Sequence, residues 1–385
     1  MDFDVVIVGA GLVGASLALS LKDSGLKLAL VEARHYIHET EGWDSRIYAI
    51  SPGSAAFLER CGSWKRMERK RVSPVLGMRI FGDDASSELR FDSEDAGLSE
   101  LAFIAESRNL LHGLMLEIEN QENLEVISPA SCQGILWEEN CIELDLGGRT
   151  LHSRLIVGAD GAKSWLRAQT GFEASPRPYH QNAIVANFES EKPHQGIAWQ
   201  WFKKDGILAF LPMPGNRVSL VWSVWTEKAE RLLSEPHDRF CELVEEESGH
   251  TLGALKIITP PAGFPLRLLR LDTMVKPRVA LVGDAAHNTH PLAGQGVNLG
   301  FRDAQELSRV LLGRGAQNDC GDYHLLRRFD RARREDILSM QSTTDMLQKL
   351  FNNEVPGISL LRNMGLRMVD GQGWVKNALI QHALA

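Results

Sequence analysis

The chain has 385 residues, too many for one hydrophobic core and enough for two interleaved domains with a tail. Apolar residues make up 44% and charged residues 24%, which excludes disordered and fibrous classes, and a formal charge of −8 argues against a nucleic-acid binder. The longest apolar runs, such as Val5–Val8 and Val279–Val282, fall far short of the roughly 18 residues of a membrane span.

Acidic Asp2 and Asp4 stand where a secretory leader would be basic, and five cysteines without a C-x-x-C pair read as reduced thiols of a cytoplasmic protein. Asp4–Val8 is a short β-branched run, as expected of a strand buried on both faces of a parallel sheet. Gly9-Ala10-Gly11-Leu12-Val13-Gly14 follows, then a helical segment to Ser24 stopped by Gly25, then a second strand, Leu28–Val31, ending at Glu32. From Leu124 to Val157, alternating runs with turn signals at Glu139-Asn140 and Gly147-Gly148 predict antiparallel strands. They close on another buried run that enters Gly158-Ala159-Asp160-Gly161. Pro176 to Pro265 is rich in strand formers and aromatics, and Val279–Val282 is a third buried run ending in a Gly-Asp turn. After Gly321 the pattern is helical, with Phe329, Ala332, Met340, Leu347 and Leu350 near a 3–4 residue spacing until Pro356. The order fits an α/β, Rossmann-like nucleotide domain (1–75, 95–175 and 265–320) interleaved with a β-rich substrate domain (76–94 and 176–264), plus a helical segment (321–385).

A lone G-x-G-x-x-G is weak evidence. Here it follows a predicted strand, opens a helix and precedes an acid eighteen residues after Gly14, the context of an ADP-containing dinucleotide site. Gly9 allows the tight turn, Gly11 lets backbone amides approach a pyrophosphate, and Gly14 lets helix and sheet pack closely. The helix N-terminus adds unpaired N–H groups and a positive dipole end. Glu32 suits an adenosine ribose and disfavours a 2′-phosphate, and Ala33 and Arg34 flank it. NAD or FAD remains. Gly283-Asp284 after a buried strand, then Pro291 and Gly294-Gln295-Gly296-Val297-Asn298 opening a helix, selects FAD. Asp284 supplies a carboxylate for ribityl hydroxyls, and the helix N-terminus aims amides at a ring that becomes anionic on reduction.

With these motifs the chain resembles the FAD-dependent aromatic hydroxylases, the class A flavoprotein monooxygenases typified by para-hydroxybenzoate hydroxylase, and within them the ubiquinone-biosynthesis hydroxylases. The resemblance spans essentially the whole chain. It adds the middle motif Ala159–Arg167, implicated in the family in binding both FAD and reduced nicotinamide, with Asp160 as its cofactor-binding residue, and Arg46 and Arg108 as arginines near the flavin. Lys163 stands where relatives often carry Asn, which leaves the coenzyme as NADH or NADPH. The resemblance implies transient NAD(P)H binding, reaction of reduced FAD with O2 to a C4a-hydroperoxide, and hydroxylation of a prenylated phenol or quinol near the Pro291 carbonyl.

Other readings stand beside this one. Asp160 reads equally as a turn cap, Arg46 and Arg108 as surface ion-pair partners, and His287 as an ordinary hydrogen-bonded histidine. The aromatic cluster reads first as core, with Trp199, Trp201, Phe210 and Trp222 as candidates for the substrate pocket. Arg327, Arg328, Arg331, Arg333 and Arg334 read as the solvated face of a helix. No metal-ligand spacing and no protein nucleophile stand out. A flavin reductase of the geranylgeranyl-reductase type, a hydroxylase of a small soluble phenol and a non-catalytic flavoprotein subunit are the alternatives. The tail from Gly321 carries nine basic and seven acidic residues against a negative remainder, with Leu360, Leu361, Met364, Leu366, Met368, Val369 and Trp374 close together. That composition suits peripheral contact with the inner face of a membrane or with a biosynthetic complex.

Overall fold

The structure is a computed structural model that describes residues 1–351 apart from 38–40, 83–87, 175, 291–293 and 316–317; the side chains of 347 and 349–351 also fall outside the description. β1 (Phe3–Val8) turns at Gly9 into α1 (Leu12–Ser20) and returns as β2 (Leu28–Val31). α1 ends at Ser20 rather than Ser24, because the amides of Leu21, Lys22 and Ser24 bond carbonyls three residues back and the chain tightens out of α-geometry. β3 (Ile47–Ile50) leads to α2 (Pro52–Arg60), whose start is set by Ser51 Oγ accepting the Ser54 N–H at 3.2 Å and by Pro52 at the first helical position. β4 (Val72–Val75), β5 (Gly77–Phe81), β6 (Glu88–Asp92) and β7 (Ala102–Glu106) precede α3 (Ser107–Ile118). β8 (Leu124–Ile127), β9 (Gly134–Trp137), β10 (Ile142–Asp145) and β11 (Thr150–Gly158) lead to α4 (Trp165–Gln169). Next come β12 (Arg177–Ser190), β13 (Ile197–Lys203), β14 (Gly206–Met213), β15 (Arg217–Trp225), α5 (Thr226–Ser234), α6 (His237–Glu247) and β16 (Leu255–Leu268). β17 (Val275–Lys276), β18 (Val279–Leu281), α7 (Gly296–Leu312) and α8 (Tyr323–Phe351) complete the described chain.

The first sheet runs β17-β18-β11-β1-β2-β8, with β10 and β9 added antiparallel beside β11. β18, β11, β1, β2 and β8 are mutually parallel. Leu124–Ile127 was expected in an antiparallel set and is instead the parallel edge strand beside β2, exposed at Glu125 and Val126 and half-buried at its two ends. The second sheet runs β16-β12-β15-β14-β13-β5-β6, and a third, small one runs β3-β7-β4.

Two packing faces matter for function. On one side of the second sheet, Ile184, Phe188, Phe210, Leu220 and Trp222 pack against Leu232 of α5 and Phe240 and Val244 of α6. The other side meets the small sheet through Ala198 and Met213 against Val75 and Ile104, with Trp43, Ile47, Ala49 and Leu211 alongside. α8 closes the first sheet with Leu326, Phe329, Ile337 and Met340 buried. Ala332, expected on that face, is exposed, and Arg333, expected in solvent, is buried. The apolar tail positions Leu360 to Trp374 lie outside the described residues.

Candidate active site

Parallel register sets the site. Val31, Val8, Gly158 and Leu281 are paired neighbours across β2, β1, β11 and β18, so the four strands end in one row. Glu32, Gly9, Ala159-Asp160 and Gly283-Asp284 leave that row at the same sheet edge, although they lie far apart in sequence. In open parallel sheets ligands bind at this carboxyl edge.

At the first turn Gly9 has φ +104, and a Cβ on it would stand 2.5 Å from the Ala159 carbonyl oxygen. A Cβ on Gly14 would lie 1.9 Å from the Gly9 oxygen, so only glycine lets α1 seat this close to the sheet. Gly11 is different: it precedes α1 and has open space where a Cβ would project. Leu12 is buried, and Val13 packs against Gly283 and Gly300, joining α1 to α7. The Glu32 carboxylate accepts the Ala10 N–H at 2.9 Å and the Arg34 N–H at 3.1 Å, which holds it beside the turn; Ala33 and Arg34 are exposed.

Asp160 does cap a turn, since Oδ2 accepts the Leu166 N–H at 3.1 Å, but its buried Oδ1 has no partner among the described residues. Arg167, the last residue of the middle motif, donates to the carbonyls of Ala162 and Ala285, each at 2.8 Å, and so clamps that motif to the Gly283 turn. Asp284 reaches solvent inside a cleft whose walls desolvate it. That burial raises its pKa, and His287, Asn288 and Arg46 oppose the rise. Arg46 is exposed and lies over Phe264, 6.0 Å from the ring centroid, with its charge acting on both Asp284 and Tyr48. Arg108 is woven into the neighbouring loop, donating to the Glu41 and Gly42 carbonyls at 3.1 and 3.0 Å. Buried Glu106 accepts two bonds from Arg71, at 2.6 and 2.8 Å, and lies 3.5 Å from Arg108. An acid at the end of a strand gave no hint in sequence that two arginines would meet it.

Across the cleft, Gln295 precedes α7, and Gly296 has open space at its Cβ direction. Val297 is half-buried. Asn298 is fully buried; its Oδ1 accepts the Ser51 N–H at 3.0 Å and its Nδ2 donates to the Ala49 carbonyl at 2.9 Å, which fixes the start of α7 against β3. Pro291 lies outside the described residues. Its neighbour His290 is buried, bonds Gln181 Oε1 at 3.2 Å through Nε2 and packs edge-on against Tyr179; burial pushes its pKa down to about 4.

The pocket expectation for Trp199, Trp201, Phe210 and Trp222 is corrected. All four belong to the face turned to α5 and α6, where Trp201 and Phe210 meet edge to face at 5.6 Å. Alternation in a strand defines two faces, and only the covering helices decide which is core. The opposite face carries a cross-strand row, Val185–Val221–Ala209–Gln200, flanked by Asn187 paired with Ser219. Val185, Ala209, Leu211 and Val221 are half-buried, small and mostly apolar. Asn187 Nδ2 donates to the Asp44 carbonyl at 2.8 Å, which ties this face to the loop that bears Arg46.

The arrangement suits a flavin dinucleotide: open glycines at 11 and 161, an unpaired buried Asp160 oxygen and the Asp284 carboxylate follow the strand ends, and Gly296, also open, begins α7. Residues 2–335 match the family described as FAD binding domain. The ubiquinone hydroxylase UbiL of Rhodospirillum rubrum is 32% identical, over 99% of this chain and 89% of that one. The 3-demethoxyubiquinol 3-hydroxylase of Escherichia coli is 31% identical, over 99% of this chain and 98% of that one. Among solved structures, PqsL, a probable FAD-dependent monooxygenase from Pseudomonas aeruginosa, superposes with TM-score 0.79 at 24% identity, covering 95% of this chain and 99% of that chain.

Proposed function

The chain belongs to the FAD-binding-domain family of flavoprotein monooxygenases, and from that premise we propose that it hydroxylates the aromatic ring of a prenylated phenol or quinol in ubiquinone biosynthesis, using NAD(P)H and O2. FAD held at this site would supply the redox chemistry, with NAD(P)H as the hydride donor and O2 as the oxidant, one oxygen atom going to the ring and the other to water. In this reading Gly11 and the first amides of α1 hold the pyrophosphate, Glu32 the adenosine ribose and Asp284 the ribityl chain. The N-terminus of α7 at Gly296 faces the ring system, where its dipole favours the reduced anion. Arg46 adds a positive charge at the rim, and Asp160 orients the middle of the cofactor through its free oxygen.

One observation carries the proposal: the strand-end row Val31–Val8–Gly158–Leu281 brings the Gly9 turn, Glu32, Asp160 and Asp284 to one sheet edge, and Asn187 ties the face of the second sheet away from α5 and α6 to the loop that bears Arg46. Such a face receives an aromatic ring and an apolar chain and excludes water from the reaction. Val185, Ala209, Leu211 and Val221 there suit an apolar prenyl chain, and Asn187, Gln200 and Ser219 on the same face can meet the oxygens of the ring. No described helix is long and apolar enough to cross a membrane, and we propose that the C-terminal segment reaches the lipid-borne substrate by peripheral contact or through a biosynthetic complex. Profiling quinone intermediates in a deletion strain tests the function. A prenylated intermediate lacking one ring hydroxyl should accumulate, and purified protein should place label from 18O2 in the product. NAD(P)H oxidation without incorporation of label would favour a reductase instead.

A further inference from the structure

α7 and α8 meet through a buried ionic chain. Asp303, fully buried, accepts the Gly283 N–H at 2.9 Å and a bond from His287 Nε2 at 2.6 Å on one oxygen, and Arg333 Nε at 2.7 Å on the other. Burial alone would raise its pKa, but His287 and Arg333 outweigh burial and hold it at about 2, so it stays ionised. Arg333 Nη1 continues to Asp336 at 2.6 Å, and Asp336 accepts Arg302 at 2.9 and 3.1 Å. Arg302 Nη2 then donates to Gln295 Oε1 at 3.3 Å, next to Gly296.

The two ends of this chain are significant. One is the backbone N–H of the residue before Asp284, and the other is the residue before Gly296. Both belong to the loop assigned above to the flavin. Burying the Asp303 carboxylate and the Arg333 guanidinium, with Asp336 and Arg302 partly buried beside them, is costly, and apolar side chains of similar volume would dock α8 at least as well. A helix that only had to pack would not need the charges.

We propose that Arg333 is a positioning residue for the flavin: through Asp303 and Asp336 it braces both flanks of the cofactor loop, so that docking of α8 and binding of FAD strengthen each other. The inference rests on the flavin assignment of this loop. Coupling between sites is reciprocal and typically amounts to about 5- to 150-fold in affinity.

The test uses full-length protein stripped of flavin and titrated with FAD, with Arg333→Met, Arg333→Lys and Arg302→Met beside the wild type. Flavin fluorescence, the absorption spectrum and two-electron potential of the bound flavin, and melting with and without FAD are the readouts. Arg333→Met should weaken FAD binding by at least about fivefold, shift the spectrum or potential, and shrink the rise in melting temperature that FAD confers. Arg333→Lys should fall between. Arg302→Met, which removes the limb from Asp336 to Gln295 at a partly exposed site and leaves the Asp303–Arg333 pair in place, should fold and still weaken FAD binding; it keeps the idea testable if Arg333→Met fails to fold. Equal loss of stability with and without FAD, at unchanged affinity and spectrum, would show that α8 only packs and would overturn the proposal. Wild-type protein that binds no FAD would instead overturn the cofactor reading itself.

Discussion

Replacing Gly11 and Gly14 separately by alanine divides what the cofactor requires from what the fold requires. Gly11 has φ −72 and ψ −175, extended backbone open to any residue, and its Cβ would meet nothing within 4 Å. Alanine before a helix loses up to about 1 kcal/mol relative to glycine, and the stiffer unfolded chain returns about 0.4–1 kcal/mol, so folding should be nearly unchanged. At Gly14 the added methyl would stand 1.9 Å from the Gly9 oxygen and 3.1 Å from Ala159 Cβ, neither of which is a flexible side-chain end. α1 must then lift off the sheet, disturbing buried Ala15, Leu17 and Ala18, at an overpacking cost of about 1–3 kcal/mol or more. If the pyrophosphate passes over Gly11, the methyl there blocks amide bonds to a charged group worth ~1.5–3 kcal/mol, or roughly 10- to 150-fold in affinity. Denaturant melts of flavin-free protein and FAD titration by fluorescence quenching measure the two effects separately. Gly11→Ala should melt as wild type and bind FAD poorly, whereas Gly14→Ala should already be destabilised without flavin. Wild-type FAD affinity in Gly11→Ala would refute the placement of the phosphates, and destabilisation equal to that of Gly14→Ala would refute the open-space argument.

Three further outcomes are expected. Trp222→Ala should cost about 3–5 kcal/mol in a urea melt with little change in KM, whereas Val221→Phe, one residue away on the opposite face, should raise KM for the prenylated substrate at nearly constant stability. His290 titrates at 6.5 when unfolded and about 4 when folded, so the native state binds fewer protons in between; stability should be full above pH 6.5 and fall by about 3 kcal/mol on acidification to pH 4, a loss that His290→Gln should remove from the melts. Deleting residues 352–385 should leave folded, FAD-loaded protein that oxidises NAD(P)H in solution but fails to restore quinone synthesis in cells; full restoration would eliminate a docking role for the tail.

The cofactor turns were legible because a close backbone approach narrows the choice of residue so sharply. Nothing but glycine fits where a Cβ would sit 2.5 Å from an oxygen, as at Gly9, or 1.9 Å, as at Gly14, so the two announce the turn without any tertiary knowledge. The position of Asp284 was legible too, as a lone acid just after a fully buried strand. The second sheet was legible as a sheet but not as a pair of faces. Trp222 and Val221 alternate as any strand does, and which of them is core depends on α5 and α6, which follow later in the chain. β8 misled for another reason: four residues with Glu125 among them lack the continuous apolar run of a buried parallel strand, and only pairing with β2 shows that it is the parallel edge.

Arg333 marks the limit of that kind of reading. Helical periodicity places it one step from Ala332 in a stretch dense with arginines, and the ordinary rule sends such side chains to water. What reverses the rule is a carboxylate on another helix, thirty residues back, that is itself held by a backbone N–H and a histidine. Each of these groups would be too costly to bury alone, and together they neutralise and satisfy one another. A sequence pattern that scores residues one by one cannot register a group of charges whose burial is favourable only jointly. The same joint dependence makes the cluster a sensitive joint in the fold: loss of one member leaves the others buried and unpaired, a few residues from the turn that presents Asp284 to the cleft.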